Sequence, residues 1–272
     1  MNTTPQPATV GPGRTGDAYF RDFIRVAPIA HAISRAIEAR HLGTVEQKPP
    51  MLDIGCGYGE FGRALYRIPC DVGIDIRDFD LRVRLPDVYR HVALCDAHHL
   101  PLASESFQTI FSVSVLEHIP DVQPVLAEAV RVLRPGGVFA LTVPLAKLGS
   151  MWAVPRALRA VGLGGAGKLY ADRLNATFSH INLWTPERWS DLLTGLGMQI
   201  EVCREIVSPR ATAIYDMWLP TALPSQAMRL LTKKRFVYRP PGMTDFLARR
   251  FASLVNDEES EGSNLFLVAR KP

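Results

Sequence analysis

The sequence predicts an α/β fold, a mostly parallel sheet with helices on both faces, and three observations predict it. Residues 51–62, MLDIGCGYGEFG, set a short apolar run directly before Gly55, Gly57 and Gly59 and a helical stretch. That is a strand, a glycine turn and a helix start, the unit from which nucleoside-bearing ligands are usually hung. Short apolar runs then alternate with helical periodicity through the middle of the chain, the pattern of right-handed βαβ units. Finally, 272 residues with 47% hydrophobic and 21% charged side chains suffice for one core of ordinary size. One domain with insertions suits that length better than two.

Residues 1–16 are polar, rich in Pro, Gly and Thr, and lack the apolar centre of a signal peptide, so they read as a disordered tail. The domain spans residues 17–272. Ile24, Ala27, Ile29, Ala30, Ile33, Ala36 and Ile37 recur near helical spacing, which predicts one or two helices broken near Pro28. Residues 43–50 form a linker. After the strand at residue 51 come strands over 71–76, 90–95 and 109–115. Val122, Val125, Leu126, Ala129, Val130 and Leu133 make one apolar stripe over a helix at 120–133. Arg134-Pro135-Gly136-Gly137 ends it before a fifth strand at 138–143. Residues 144–183 interrupt the alternation with a hydrophobic stretch and two glycine-rich patches. A helix over 186–196, N-capped by Thr185, and a strand over 198–207 resume it. Residues 208–262 are a second insertion, and 264–269 a terminal strand.

Composition excludes some classes. No apolar run reaches the ~18 residues of a membrane-spanning helix. Cys56, Cys70, Cys95 and Cys203 form no CxxC pair, which disfavours a disulfide framework or zinc site and favours a reducing cytoplasm. A net charge of +4 is too mild to argue for nucleic acid.

The chemistry-bearing residues fall at strand ends. Asp75 ends the second strand, where an acid can accept hydrogen bonds from both ribose hydroxyls; the alternative is a turn Asp. Asp96 ends the third, where it can accept from an adenine amino group or stand as a solvated loop residue. Residues 112–118, SVSVLEH, end the fourth strand at the carboxyl edge of the sheet, where open α/β folds bind ligands.

LDIGCGYGEFG, VGIDI, CDAHHLPLASESFQTIFSVSVLEHIPD and RVLRPGGVFALTVP together resemble the successive motifs of class I S-adenosylmethionine-dependent methyltransferases, in particular the methyltransferase type 11 branch. The resemblance covers about residues 50–144. It implies a Rossmann-like, seven-stranded sheet of order 3-2-1-4-5-7-6 with the last strand antiparallel, and S-adenosyl-L-methionine as cofactor. It places Asp53, Gly55, Cys56, Gly57 and Gly59 around the methionine end and ribose. Asp75 and Ile76 would hold the ribose and flank the adenine, and Asp96 and Ala97 would contact the adenine. Ser112 and Val113 would lie by the methionine amino group, with His118 near the opening to the substrate. Tyr19 and Phe20 correspond to the aromatic lead-in of a helix that lids the pocket. Gln108 departs from the family, which usually has Asp there.

A sulfonium methyl is electrophilic without help, so catalysis needs in-line placement of a nucleophile and, for a hydroxyl, a base. His118 and His180 compete for that role against structural histidines, with Tyr170 and Tyr215 behind them. No clustered Asp/Glu/His set suggests a catalytic metal. Substrate identity should reside in the additions to the fold: lid helices over 17–43 and a cap from 144–183 and 208–262. Trp152 and Trp218 either wall an apolar pocket or dimer interface or pack in the core. Arg229, Lys233, Lys234, Arg235 and Arg239, interleaved with Phe236 and Tyr238, form either a solvated face plus linker or a contact for a phosphate, an anionic lipid head group or an acidic substrate. The expectation is therefore a cytoplasmic methyltransferase of small molecules, O-methylating a secondary metabolite or a glycan or lipid-linked intermediate. C-methylation of an isoprenoid is the second choice. The rivals are an NAD-dependent dehydrogenase, disfavoured by a GxGxG rather than GxGxxG turn, and a non-catalytic cofactor-binding module.

Overall fold

The computed structural model describes residues 14–222, 239–258 and 260–272. Seven strands form one sheet: β1 (Met51–Ile54), β2 (Cys70–Asp75), β3 (Tyr89–Leu94), β4 (Phe107–Val113), β5 (Leu133–Pro144), β6 (Gln199–Ile206) and β7 (Asn264–Arg270). Their order is β3-β2-β1-β4-β5-β7-β6, with β7 antiparallel to both of its neighbours and every other pair parallel. The expected order and polarity hold. The central strands are apolar on both faces because both faces are covered.

One face packs on α5 (Val122–Val132) and α9 (Pro186–Gly195). There Val125, Leu126, Ala129, Trp189 and Leu193 meet Leu52, Ile54, Ile110 and Phe139 of the sheet. The other face carries α1 (Gly16–Ile24), α2 (Ile29–Leu42), α3 (Glu60–Leu65) and α11 (Met243–Val255), whose Phe20, Ile33, Ala36, Ala64 and Phe251 close over Phe111, Ala140 and Phe266. The short α4 (Asp78–Arg82) follows β2. Above the carboxyl edge stand α6 (Leu148–Met151), α7 (Ala153–Ala160), α8 (Gly164–Thr177) and α10 (Pro209–Trp218).

Several boundaries differ from expectation. Residues 1–13 of the expected tail lie outside the described residues, and residues 14–16 are tied to the domain. Arg14 pairs with Asp22 at 2.7 Å, and Gly16, already helical, donates from its N–H to Asn256 Oδ1 at 2.7 Å. β4 starts two residues early and stops at Val113, and β5 begins at Leu133, so the Arg-Pro-Gly-Gly turn is the exposed start of a strand. The glycine-rich stretch near residue 165 opens α8 instead of a loop. A Cβ on Gly167 would sit 3.1 Å from the Pro155 carbonyl, so the glycine permits α7 and α8 to approach closely. The second insertion is also more than a cap, since α11 belongs to the core. Thr185 sits at the N-cap position of α9 but makes no side-chain cap bond.

Candidate active site

The glycine turn lies at the carboxyl end of β1. Gly55, Gly57 and Gly59 all have positive φ, of 83°, 51° and 88°. A Cβ on Gly55 would meet the Val115 side chain at 2.3 Å, whereas one on Gly57 would meet nothing within 4 Å and would project into open space. The turn is tied to β2. Gly55 and Cys56 donate their N–H groups to Ile74 O, and Asp75 Oδ2 accepts from Gly57 N at 2.8 Å. The other carboxylate oxygen of Asp75 accepts from Arg77 N at 2.8 Å. Asp53 is buried beneath the turn and accepts a 2.6 Å hydrogen bond from the Tyr89 hydroxyl; burial pushes its carboxyl up to about 6. Asp53, Gly55, Cys56 and Gly57, with Phe23, Ala27, Phe61 and Val113, line a cleft of about 150 Å³.

Along the edge, Ile76 is 70% exposed, and Leu94 of β3, the register partner of Asp75, is 58% exposed. Asp96 accepts from the backbone N–H of His98 (3.0 Å) and from its ring (2.6 Å), which together lower its carboxyl below the usual range; Ala97 follows it. Burial, chiefly, raises the Cys56 thiol far above its ordinary value, so it has no nucleophilic role. Ser112 is fully buried and donates to Ile54 O at 3.2 Å, so only its backbone is available near the cleft.

A second cavity, of about 820 Å³, adjoins the first, and His31 and Arg35 of α2 line both. Leu148, Trp152, Phe178 and Tyr215 form its apolar wall. The cavity is also lined by a buried polar network centred on Glu38. Its Oε1 accepts from Ser114 Oγ (2.8 Å), Asn264 Nδ2 (3.1 Å) and Thr142 Oγ1 (3.3 Å), while Oε2 pairs with Arg35 at 3.2 Å. The sequence reading missed this network. Its one signal was a Glu set among Ala36, Ile37, Ala39 and Leu42 on a buried helix face.

His118 and His180, competitors in the sequence, are neighbours in the structure, their rings stacked with centroids 5.4 Å apart. The short turn Leu116–His118 after β4 carries the first. The second rides on a segment sewn to that turn: Ile181 N and Asn182 N donate to Glu117 O (2.7 and 3.0 Å), and Asn182 Nδ2 donates to Leu116 O and Ile119 O (2.8 Å each). His118 Nδ1 lies 3.0 Å from Ser179 O and His180 Nδ1 lies 3.1 Å from Asn175 Oδ1. Both acceptors are oxygens, which assigns the proton to Nδ1 and the lone pair to Nε2 in each ring. Burial lowers His118 below its ordinary pKa and brings His180 to about 4. Glu117, also buried, is pushed up to about 8. Its Oε1 lies 3.6 Å from His118 Nε2, and one ligand-capable atom from each of Glu117, His118 and His180 falls within 4.8 Å of the others. The expectation that no Asp/Glu/His set is clustered is thereby overturned. The chain separation of 62 residues between the histidines hid it.

Four of the six expected substrate-side aromatics lie off the cavity lining. Tyr19 and Phe20 are buried in the helical core, Tyr19 with its hydroxyl against Gly43 at the end of α2 and Phe20 edge-on to Phe251 of α11 at 5.8 Å. Phe23, one turn on, takes the cleft position. Trp218 also packs on Phe251. Tyr170 supports Trp152 edge-on at 6.4 Å from behind the wall, while Trp152 and Tyr215 do line the cavity. Of the basic segment 229–239, only Arg239 is among the described residues; it donates to Ala27 O at 3.3 Å.

Residues 52–141 match the family model of the methyltransferase domain, which spans the glycine turn, both strand-end acids and the histidine turn. Over those residues the chain is similar to class I S-adenosylmethionine-dependent methyltransferases. The chain is 32% identical over 136 residues to methyltransferase GfsG of Streptomyces halstedii, covering 45% of this chain and 48% of that one. It is 33% identical over 135 residues to a malonyl-[acyl-carrier protein] O-methyltransferase of Serratia marcescens, covering 45% and 51%. The chain thus spans about half the length of the curated relatives it matches. The methyltransferase fold extends further than the sequence match: a Thermotoga maritima S-adenosylmethionine-dependent methyltransferase of 15% identity superposes over 90% of this chain and 92% of its own, with a TM-score of 0.55. The methyltransferase domain's cofactor, S-adenosylmethionine, fits the residues present. The space left by Gly57 admits a ligand against bare backbone, and the Asp75 carboxylate is bonded to the Gly57 N–H beside it.

Proposed function

We propose that this methyltransferase domain transfers a methyl group from S-adenosylmethionine to an oxygen of a small molecule held in the 820 Å³ cavity. The observation that carries the reading is the junction at His31 and Arg35, which line both the cofactor cleft and a cavity whose walls combine Trp152, Phe178 and Tyr215 with Glu38, Glu117 and the two histidines.

When bound, the cofactor supplies an electrophilic methyl group on a sulfonium. The chain's own residues do the rest. Asp75 keeps the Gly57 turn in place and retains lone pairs for ribose hydroxyls. Asp96 would accept from the adenine amino group, with Ile76 and Leu94 as exposed apolar side chains beside it. Asp53 supplies negative charge under the turn. The Arg35–Glu38 pair fixes α2 against the sheet edge, so the acceptor meets a preorganised wall. The histidine pair lowers the cost of removing the acceptor's proton, because both rings turn an unprotonated Nε2 away from their Nδ1 anchors.

The O-methyltransferase relative supports oxygen as acceptor. Trp152, Phe178 and Tyr215 favour an acceptor with an apolar body, and they give a second reading some weight: C-methylation of an apolar substrate whose developing cation the aromatic wall would stabilise. Among the described residues no helix is long and apolar enough to cross a membrane, and all four cysteines are free thiols, which supports work in a reducing cytoplasm. Incubation with methyl-labelled cofactor and a panel of hydroxyl and carboxyl acceptors tests the reading. Label should appear as a methyl ether or ester. Label on carbon would select the second reading, and a protein that binds the cofactor but transfers to no acceptor would be a binding module.

A further inference from the structure

We propose that Glu117, His118 and His180 hold a divalent transition-metal ion on the wall of the large cavity. The proposal deepens the O-methylation reading and, for its role in that reaction, rests on it.

Four observations carry it. The candidate ligand atoms lie within 4.8 Å of one another. Ligands sharing an ion through bonds of about 2.1 Å stand about 3–4 Å apart, so small side-chain rotations close the site. Each imidazole is anchored through Nδ1 to an oxygen, Ser179 O or Asn175 Oδ1, which is the outer-partner arrangement that leaves Nε2 as the metal-binding nitrogen. Glu117 is 1% exposed, lines the cavity, and its Oε2 has no hydrogen-bond partner among the described residues. A buried carboxyl oxygen left without a partner is costly, and a cation would satisfy it. Finally, the two ligand-bearing segments are locked together by the Ile181, Asn182 and Glu117 hydrogen bonds, so the site is preformed. The neighbouring cations are spoken for or peripheral: Arg35 pairs with Glu38, and Arg77 is 70% exposed, 3.8 Å from Asp80.

Two imidazoles and one carboxylate suit Zn²⁺, Fe²⁺, Mn²⁺ or Co²⁺ and not Mg²⁺ or Ca²⁺, which prefer all-oxygen sets. Three protein ligands leave positions open toward the cavity. An acceptor hydroxyl taken there would become more acidic and lose its proton to solvent. Its oxygen would then form the new C–O bond as the methyl–sulfur bond breaks, with the electron pair staying on sulfur to leave a thioether. The histidines thus act through the ion and do not take the proton themselves.

The test is titration of the chelator-treated chain with Co²⁺, read by visible absorption and calorimetry, with S-adenosylhomocysteine binding measured on the same samples. The expected result is one saturable Co²⁺ per chain, displaced by Zn²⁺ and not by Mg²⁺. His180→Ala and Glu117→Gln should abolish saturation. Asn175→Ala, which removes only an outer partner, should weaken it about tenfold. Binding of S-adenosylhomocysteine should be the same in all of these, which also shows that each is folded. Absent or non-stoichiometric Co²⁺ uptake by the unmodified chain, or equal uptake by His180→Ala, overturns the proposal. If a ligand variant does not fold, an undiminished affinity in Asn175→Ala overturns it instead. Failure of the unmodified chain to bind S-adenosylhomocysteine would strike the methyl-transfer reading and leave the Co²⁺ result to decide the metal site.

Discussion

Gly55 and Gly57 differ by two positions and both hold positive φ, yet alanine should harm them in different ways. At either site the left-handed backbone costs a β-carbon roughly 1–2 kcal/mol. At Gly55 the added carbon also drives into Val115, whereas at Gly57 it enters the space assigned to the cofactor. Gly55→Ala should therefore lower the unfolding midpoint markedly more than Gly57→Ala, while Gly57→Ala, which carries the backbone cost alone, weakens S-adenosylhomocysteine binding. Calorimetry and thermal melts on the two variants would show it; identical profiles would mean the turn only supports the fold. Asp53 gives a pH signature. Its folded-state pKa, about 6, lies above the 3.8 of a free side chain. A raised pKa means that the group's stabilising contribution is fully present below about pH 4 and is lost as pH rises through 6, on the order of 2–3 kcal/mol in all. Asp53→Asn keeps an acceptor for the Tyr89 hydroxyl and removes the titration. Urea unfolding from pH 4 to 8 should show the variant gaining on the parent as pH rises; a constant difference would contradict a buried, cofactor-free carboxyl here.

Two elements carry the site on opposite sides. Asn182→Ala removes both donors to Leu116 O and Ile119 O, so it should cost about 1–3 kcal/mol. It should also free the segment that carries His180. Hydrogen exchange at the Ile181 and Asn182 amides, both bonded to Glu117 O, should quicken ahead of the sheet amides; unchanged protection would show that the backbone bonds alone hold the segment. On the other side, Phe20→Ala should cost about 3–5 kcal/mol of stability as a core deletion, without weakening S-adenosylhomocysteine binding in the protein that remains folded. A change in affinity at unchanged stability would restore Phe20 to the lid. The contrast shows what local sequence can reveal. β1, β2, β4 and β5 were legible because buried parallel strands are continuous apolar runs broken by turn residues, and the strand-end acids were legible from their spacing to the glycines. Which faces of α1 meet α2 and the distant α11 is a tertiary fact with no local signature, so Tyr19 and Phe20 were placed one turn short of Phe23. α8 was hidden by glycines that normally break helices but here allow close packing on α7. Glu38 looked like an ordinary helix-surface charge, and the Glu117–His118–His180 group needed the fold to bring distant segments together.

At the scale of the whole molecule, the sheet order turns a linear string of motifs into one edge. β1 and β4 are adjacent at its centre, so the glycine turn, Asp75 of β2 and the histidine turn after β4 converge, and the core helices α1 and α2 close the cleft that results. The helices inserted after β5 and β6 stand over the same edge and enclose the larger cavity beside it. Titration of the chain with S-adenosylhomocysteine in a calorimeter tests that arrangement most directly. The account predicts saturable one-to-one binding that Gly57→Ala weakens and His180→Ala does not. No saturable heat up to millimolar ligand, or binding indifferent to Gly57, would contradict it.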